Sequence, residues 1–416
     1  MTDSASSLFA ALPSSEQATV LGQLFSASSG IGLNLVRLPM GASDMSASGN
    51  YSYDDMPSGQ TDPTLANFSI AHDTQAIIPL LQTAQIINPN LKIIATPWSP
   101  PAWMKTNNSM KGTSGASATT SQIYSAYFPQ FASYFVKFIQ AYNAVGLPVY
   151  AISPLNEPGN SQSGYPSAIL TATDEASFIA NNLGPALAAA NLGNVKIFGL
   201  EENWSDTTFA QTLLQSAAAP YLAGNSFHSY NGTVSQMSTV QAMDTTKGVW
   251  FTEFTGTVTC TSTCPTLTAS TFSASGFQYQ MQTYIMGIPQ NHGRSIVGWS
   301  LALNQNEGPQ NGGCTDCAGI VTIDTSKSPA AVYLNGAYYA LGQIGKLVVP
   351  GASVIQTTPG TTTGIQSIGF QNPDGSLVVV AYNGGSSQTT LTLTWNSQTA
   401  DFALPANSAA IFKWTP

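Results

Sequence analysis

Seven short apolar runs, each ending in a polar or aromatic side chain followed by Gly, Pro or Asn, constrain this chain more than any other feature. In order they are IGLNLVRLPMG, ending around Arg37; LKIIATPWSPP, at Trp98; VYAISPLNEP, at Glu157; VKIFGLEEN, at Glu201 and Glu202; AGNSFHSYNG, at His228 and Tyr230; GVWFTEF, at Glu253; and SIVGWSLALN, at Trp299 and Asn304. Between them lie amphipathic stretches such as SAYFPQFASYFVKFIQAYNAVG, whose Phe131, Phe135, Phe138 and Ile139 recur at helical spacing before Gly146 ends the helix. Strands that alternate with helices run parallel, and near-continuous apolar strands are covered on both faces. A doubly wound sheet and a (β/α)8 barrel both meet that description. Polar side chains at most strand ends favour the barrel, whose strands present functional groups around one mouth.

Seven runs leave such a barrel one strand short. The chain opens with MTDSASSLFAALPSSEQATVLGQLFS, which already reads as helical, with Ser14 three residues before Gln17 as a capping box. The first strand would precede this segment, so the sequence is expected to start just after it. From about Tyr338 the period changes to two, in SVIQTT, IQSIGFQ, SLVVVAYNG, TLTLTWN and AAIFKWTP, separated by turns such as the one over Asn372 to Gly375. The expected fold class is α/β: a (β/α)8 TIM barrel over 1–337, its first strand missing, with a C-terminal antiparallel β-sandwich side domain over 338–416. No low-complexity linker divides them, so the two are expected to pack rigidly.

Only 7% of the 416 residues are charged, against about 25% in an average soluble protein, so Ser, Thr, Asn, Gln and Gly must solvate the surface. Hydrophobic residues make up 43%, which argues against a disordered chain. A net charge of −9 with 11 Lys and Arg, and no basic run, excludes nucleic acid as a partner. No stretch reaches the ~18 continuous apolar residues of a membrane span, and the opening residues lack the basic and apolar regions of a secretory signal. The four cysteines nevertheless fit an extracellular protein. Cys260 and Cys264 lie in CTSTC and Cys314 and Cys317 in CTDC, an even set of disulfide candidates with three connectivities open. A zinc site is the weaker reading, because 49 residues separate the pairs where zinc-binding pairs lie about 15–20 apart. With so few charges to pair, the thermal midpoint is expected to change little between about pH 7 and pH 4.

Glu157 and Glu253 are the unusual acids. Each closes an apolar strand, the fourth and the seventh if one strand precedes the chain, and at a barrel mouth two carboxylates in different environments can divide acid and base roles. Taken singly, each also reads as a solvated turn residue. His228 reads equally well as a core histidine, but Tyr230 lies two residues on and points to the same side of its strand. Trp98 and Trp299 are either core aromatics or platforms for the apolar faces of a sugar ring. Glu201 and Glu202 are adjacent, so only one is expected to face inward, and neither is assigned a function; His72 and His292 are unassigned. The sequence shows no H-E-x-x-H spacing for a metal and no G-x-S-x-G elbow for a serine nucleophile.

The segments GIGLNLVRLPMGASDMS, ATPWSPPAWMKTNNSMKG, NEPGNS, FHSYNG, WFTEFTG and VGWSLALN, in that order and followed by a β domain, resemble glycoside hydrolase family 30 over nearly the whole length. The resemblance implies that Glu157, after Asn156, is the acid/base with a raised pKa and that Glu253 is the nucleophile. It also implies that Arg37 and Asn156 orient the carboxylates, that Asp44, Trp98 and Trp299 hold the sugar, and that His228 and Tyr230 surround the nucleophile. The activity implied is retaining hydrolysis of a β-glucan, foremost a β-1,6-glucan, with no metal or organic cofactor, by a secreted monomer. β-1,6-Galactanase, xylanase and glucosylceramidase specificities stay open beside it, as does a carbohydrate-binding barrel without catalysis. The region after Trp299 is shorter than in glucosylceramidase and carries the Cys314 to Cys317 segment, which argues against a lipid-linked substrate.

Overall fold

The computed structural model describes residues 1–114, 120–257, 276–358 and 364–416. All seven apolar runs form strands: β1 (Leu35–Pro39), β2 (Lys92–Thr96), β3 (Val149–Ile152), β4 (Lys196–Asn203), β5 (Leu222–His228), β6 (Gly248–Thr257) and β7 (Gly298–Trp299). They lie in sequence order and each adjacent pair is parallel. Parallel neighbours need long crossovers. α1 (Asp3–Ala10) and α2 (Ser14–Phe25) precede β1, and the crossovers contain α3 (Ile77–Ile87), α4 (Phe128–Ala144), α5 (Ala172–Phe178), α6 (Gly184–Ala189), α7 (Thr207–Leu214) and α8 (Ser235–Met243). α4 shows why the sequence folds this way: Phe131, Phe135 and Phe138 share one buried face, and the Phe131 ring stacks on Phe178 of α5 at 5.1 Å. Gly146, at φ 82°, turns the chain out of α4 as the sequence predicts.

Among the described residues the parallel sheet ends at β1 on one side and β7 on the other, a partial barrel of seven strands. The opening residues bridge these edges at the mouth. The Met1 ammonium donates to the Arg37 carbonyl at 2.7 Å, the Thr2 and Ser300 hydroxyls share a hydrogen bond of 3.0 Å, and Trp98 stacks on Trp299 at 4.8 Å. Thr2 caps α1 through the amide of Ala5. The expected capping box is not formed. Pro13, not Ser14, stands at the N-cap of α2, and Gln17 turns its amide to the Phe9 carbonyl at 3.0 Å, tying α2 back to α1.

Beyond β7, β8 (Ala302–Leu303), β10 (Val321–Asp324) and β11 (Ala331–Leu334) make a small sheet, while β9 (Cys317–Ala318) pairs with the end of β6. The helix Gly336–Gly345 occupies the start of the stretch expected to alternate. The side domain follows as an antiparallel sheet of β12 (Ser353–Ile355), β13 (Ile365–Gln371), β14 (Leu377–Asn383) and β17 (Ser408–Trp414), with a hairpin of β15 (Thr389–Trp395) and β16 (Gln398–Leu404). The turn predicted at Asn372 to Gly375 joins β13 to β14, with Gly375 at φ 81°. β16, six of whose seven residues are exposed, is absent from the expected set. Ile368, Phe370, Val378, Val380 and Tyr382 belong to the same continuous core as the barrel, which joins the two parts closely.

Candidate active site

Arg37 is the centre of the barrel mouth. It projects from β1 and is 1% exposed, a burial that a guanidinium tolerates only with partners for its charge and its N–H groups. Nη1 donates to Glu253 Oε2 at 2.6 Å, Nη2 to Asn156 Oδ1 at 2.5 Å, and Nε stands 2.9 Å from Glu201 Oε1. Its cation lies over the Trp98 ring at 4.6 Å.

Glu253, within β6, is held at both oxygens, since Tyr230 donates to its Oε1 at 2.8 Å while Arg37 takes the other. Burial and the charge of Glu253 hold the Tyr230 phenol well above its ordinary value, which keeps it a donor. Glu157 follows β3 in a left-handed conformation, φ 44°, with its N–H bonded to the Glu201 carbonyl at 3.0 Å. Its Oε1 meets His228 Nδ1 at 3.1 Å and its Oε2 accepts from Asn160 at 2.7 Å. One oxygen each of Glu157 and Glu253, with a ring nitrogen of His228, lie within 4.8 Å of one another. An approach this close is compatible with the paired carboxyl groups, ~5–5.5 Å apart, of retaining glycosidases.

His228, at the end of β5, lies between Glu157 and Glu201, whose Oε1 is 3.3 Å from Nε2. Burial opposes its charge, but Glu253, Glu157 and Glu201 outweigh it and raise the imidazole to about 10. The expectation of a raised Glu157 is therefore reversed. Burial pushes its carboxyl up, yet the hydrogen bond and charge of His228, the Asn160 amide and Arg37 together hold it below its ordinary value. The proton rests on His228.

Asp44, Trp98 and Trp299 form the opposite wall. The two indoles stack on each other, with Met45, Leu303 and Cys317 in the same apolar cluster. Burial, then Glu253 and Glu157, push Asp44 up to about 8 against the pull of a Trp299 hydrogen bond, and its Oδ1 is buried without a protein partner. Every residue singled out by the resemblance thus converges on one pocket: Arg37, Asp44, Trp98, Asn156, Glu157, His228, Tyr230, Glu253 and Trp299. Cys314 and Cys317 form a close pair, Cα atoms 5.7 Å apart, beside this wall; Cys260 and Cys264 lie outside the described residues. His72 stacks on Tyr51 at 3.7 Å near Asp3 and Asp73, away from the pocket.

Glu201 is the residue that sequence reasoning missed. It is fully buried and accepts from Ser153 and Ser226 besides facing Arg37 and His228. Arg37 and His228 are the largest influences opposing its burial, and they hold it far below the carboxylate range. Glu202 is buried too, accepting from Gly159 and Asn203. The rule that only one of two neighbours faces inward fails because the β4–β5 register slips between Leu200 and Glu202. An arginine at one strand end and paired acids at another, in a chain so poor in charge, was the available signal.

These shifts set a pH dependence. Glu157 and Glu201, lowered, give stability that is present above the unfolded carboxylate value of about 4.3 and is lost only as pH falls through their folded values. Asp44, Glu175 and Glu202, each pushed to about 8 chiefly by burial, cost stability as pH rises from about 4 towards 8, because the unfolded chain ionises first. His228 gives stability fully present below about 6.5 and lost as pH rises through about 10. These four raised groups act in one direction and outweigh the Met1 amine, lowered to about 5, and Lys105, lowered to about 7, both chiefly by burial, which act the other way as pH rises. The thermal midpoint is expected to be several degrees higher at pH 5 than at pH 8.5, in place of the flat profile composition implied; a calorimetric scan giving equal or reversed midpoints contradicts these environments.

A parallel barrel whose mouth sets two carboxylates beside an aromatic wall is the architecture of a glycoside hydrolase. The chain belongs to glycosyl hydrolase family 30: residues 1–348 match the family's TIM-barrel domain and residues 351–410 its β-sandwich domain. It is 34% identical over 417 residues to endo-1,6-beta-D-glucanase neg1 of Aspergillus fumigatus, covering 95% of this chain and 80% of that one. Mouse lysosomal acid glucosylceramidase is 30% identical over 410 residues, covering 94% of this chain and 75% of that one. A solved endo-beta1,6-glucanase superposes with a TM-score of 0.88 at 27% identity, covering 100% of this chain and 90% of that one.

Proposed function

We propose that this protein is a secreted, monomeric retaining β-glycosidase that cleaves β-1,6-linked glucan. The observation that carries this reading is the pair Glu157 and Glu253 at the mouth of the barrel, one oxygen of each within 4.8 Å, with Glu253 held by Arg37 and Tyr230 and Glu157 by His228 and Asn160. Glu253, fixed by Arg37 and Tyr230, attacks the anomeric carbon and forms the glycosyl-enzyme. Glu157 protonates the leaving oxygen, drawing the proton from His228 Nδ1 at 3.1 Å, and later takes a proton from the water that releases the sugar. Asn156, tied to Arg37, helps orient the carboxylates. Asp44 with its unpartnered Oδ1 accepts from a sugar hydroxyl, while Trp98 and Trp299 cover the ring's apolar face. No step calls for a metal or an organic cofactor.

The β-1,6 specificity rests on the relatives named as endo-1,6-glucanases at 34% identity. A disulfide between Cys314 and Cys317, consistent with an extracellular protein, holds the segment in which Gly313 lies so close to Asp44 that a Cβ there would meet its carboxylate at 2.8 Å. The test is hydrolysis of β-1,6-glucan, β-1,3-glucan, β-1,6-galactan, xylan and glucosylceramide with product analysis. Release of β-1,6-linked gluco-oligosaccharides with retained anomeric configuration is expected. Preferred cleavage of xylan or galactan, or no cleavage of any of the five, rejects the assignment.

A further inference from the structure

Glu175 lies on α5, outside the pocket, with its carboxyl fully buried. Its Oε1 accepts the backbone N–H of Leu200 at 3.0 Å, and its Oε2 has no partner in the protein. Leu200 and Glu201 have φ of 72° and 53°, two consecutive left-handed residues. Non-glycine residues persist there only where their surroundings over-determine them. The conformation is the bulge of β4, and two features of the site depend on it. It turns the Glu201 carboxylate onto Arg37 and His228, and it aims the Glu201 carbonyl at the N–H of Glu157, 3.0 Å away.

We propose that Glu175 is a positioning residue for the glycosidase reaction. By accepting the Leu200 N–H it fixes the bulge that brings Glu201 against His228, and so sets the pH at which the His228 and Glu157 pair gives up its proton. The inference rests on the proposed function only in calling that pair the proton source. Burial pushes Glu175 to about 8, so it acts as a neutral acid over the working range, and a carboxamide can replace it. The groups facing His228 are Arg37 from β1, Glu157 after β3, Glu201 and Glu202 from β4, Glu253 from β6 and Tyr230 after its own strand. Of these, Glu201 is the one whose backbone Glu175 adjoins.

The chain has 3 histidines, so the ring of His228 can be followed by NMR in histidine-labelled protein and assigned by its loss in His228→Gln. In Glu175→Ala, and in the better-packed Glu175→Met should the alanine variant not fold, the His228 midpoint is expected to fall by about one pH unit or more, a tenfold change in proton affinity. The basic limb of kcat/KM for an aryl β-glucoside should move with it, with kcat down about tenfold and KM within about twofold. Glu175→Gln should restore the wild-type titration and basic limb. A folded Met variant whose His228 titrates like wild type overturns the proposal whatever its thermal midpoint, as does a Gln variant that behaves like Ala. The ring titration needs no turnover, so an inactive wild-type protein would reject the proposed function and leave this test standing.

Discussion

Glu253→Gln is expected to lower turnover of an aryl β-glucoside on the order of 10⁴-fold or more, because the covalent intermediate loses its only nucleophile. The amide is isosteric, and its oxygen can still accept from Arg37 or Tyr230, which lie 2.6 and 2.8 Å from the two carboxylate oxygens. Arg37 retains Glu201 at 2.9 Å, so the buried guanidinium keeps an anionic partner and the folded state should survive. Circular dichroism and the thermal midpoint should therefore report an intact barrel beside lost activity. In Glu253→Ala, azide can enter the space of the missing side chain and attack the anomeric carbon directly. The product should be the glycosyl azide of inverted configuration. Wild-type-like turnover by Glu253→Gln, or a retained azide product from Glu253→Ala, assigns the nucleophile elsewhere.

The barrel was legible because each buried parallel strand is an apolar run closed by a polar residue, and this pattern survives without knowledge of any contact. Glu157 and Glu253 were legible for the same reason: a carboxylate at the end of such a run has to be explained. Glu201 was not, since reading inward and outward faces from alternation assumes a regular strand, and the slip at Leu200 breaks the alternation. The two left-handed residues there are Leu and Glu, neither of which advertises that conformation. The protonation of Glu157 was misjudged through a similar gap. Burial alone raises a carboxyl, but the sign is decided by His228, Asn160 and Arg37, which come from positions 71, 3 and 120 residues away in the chain. At the start of the fold, Pro13 displaced the expected cap, a case of tertiary packing overriding a local signal.

Glu157→Ala should discriminate between substrates, and that discrimination defines its role. For a β-linked glucan the leaving oxygen is a poor leaving group that must be protonated as the bond breaks, so a loss of ~10²–10⁴-fold is expected. An activated aryl glucoside with an acidic phenol leaves without help, and its first step should fall much less. The second step still lacks a base, so the glycosyl-enzyme should accumulate and be detected by mass spectrometry after a burst. Azide, which needs no base, should then restore turnover and give the glycosyl azide of retained configuration. His228 supplies an independent check, because its raised value depends in part on the hydrogen bond that its Nδ1 donates to Glu157 at 3.1 Å. Its ring should titrate at lower pH in Glu157→Ala, and the basic limb for activated substrates should cease to report that proton. Equal losses across a leaving-group series, with no accumulated intermediate and no azide product, would assign the acid to another residue.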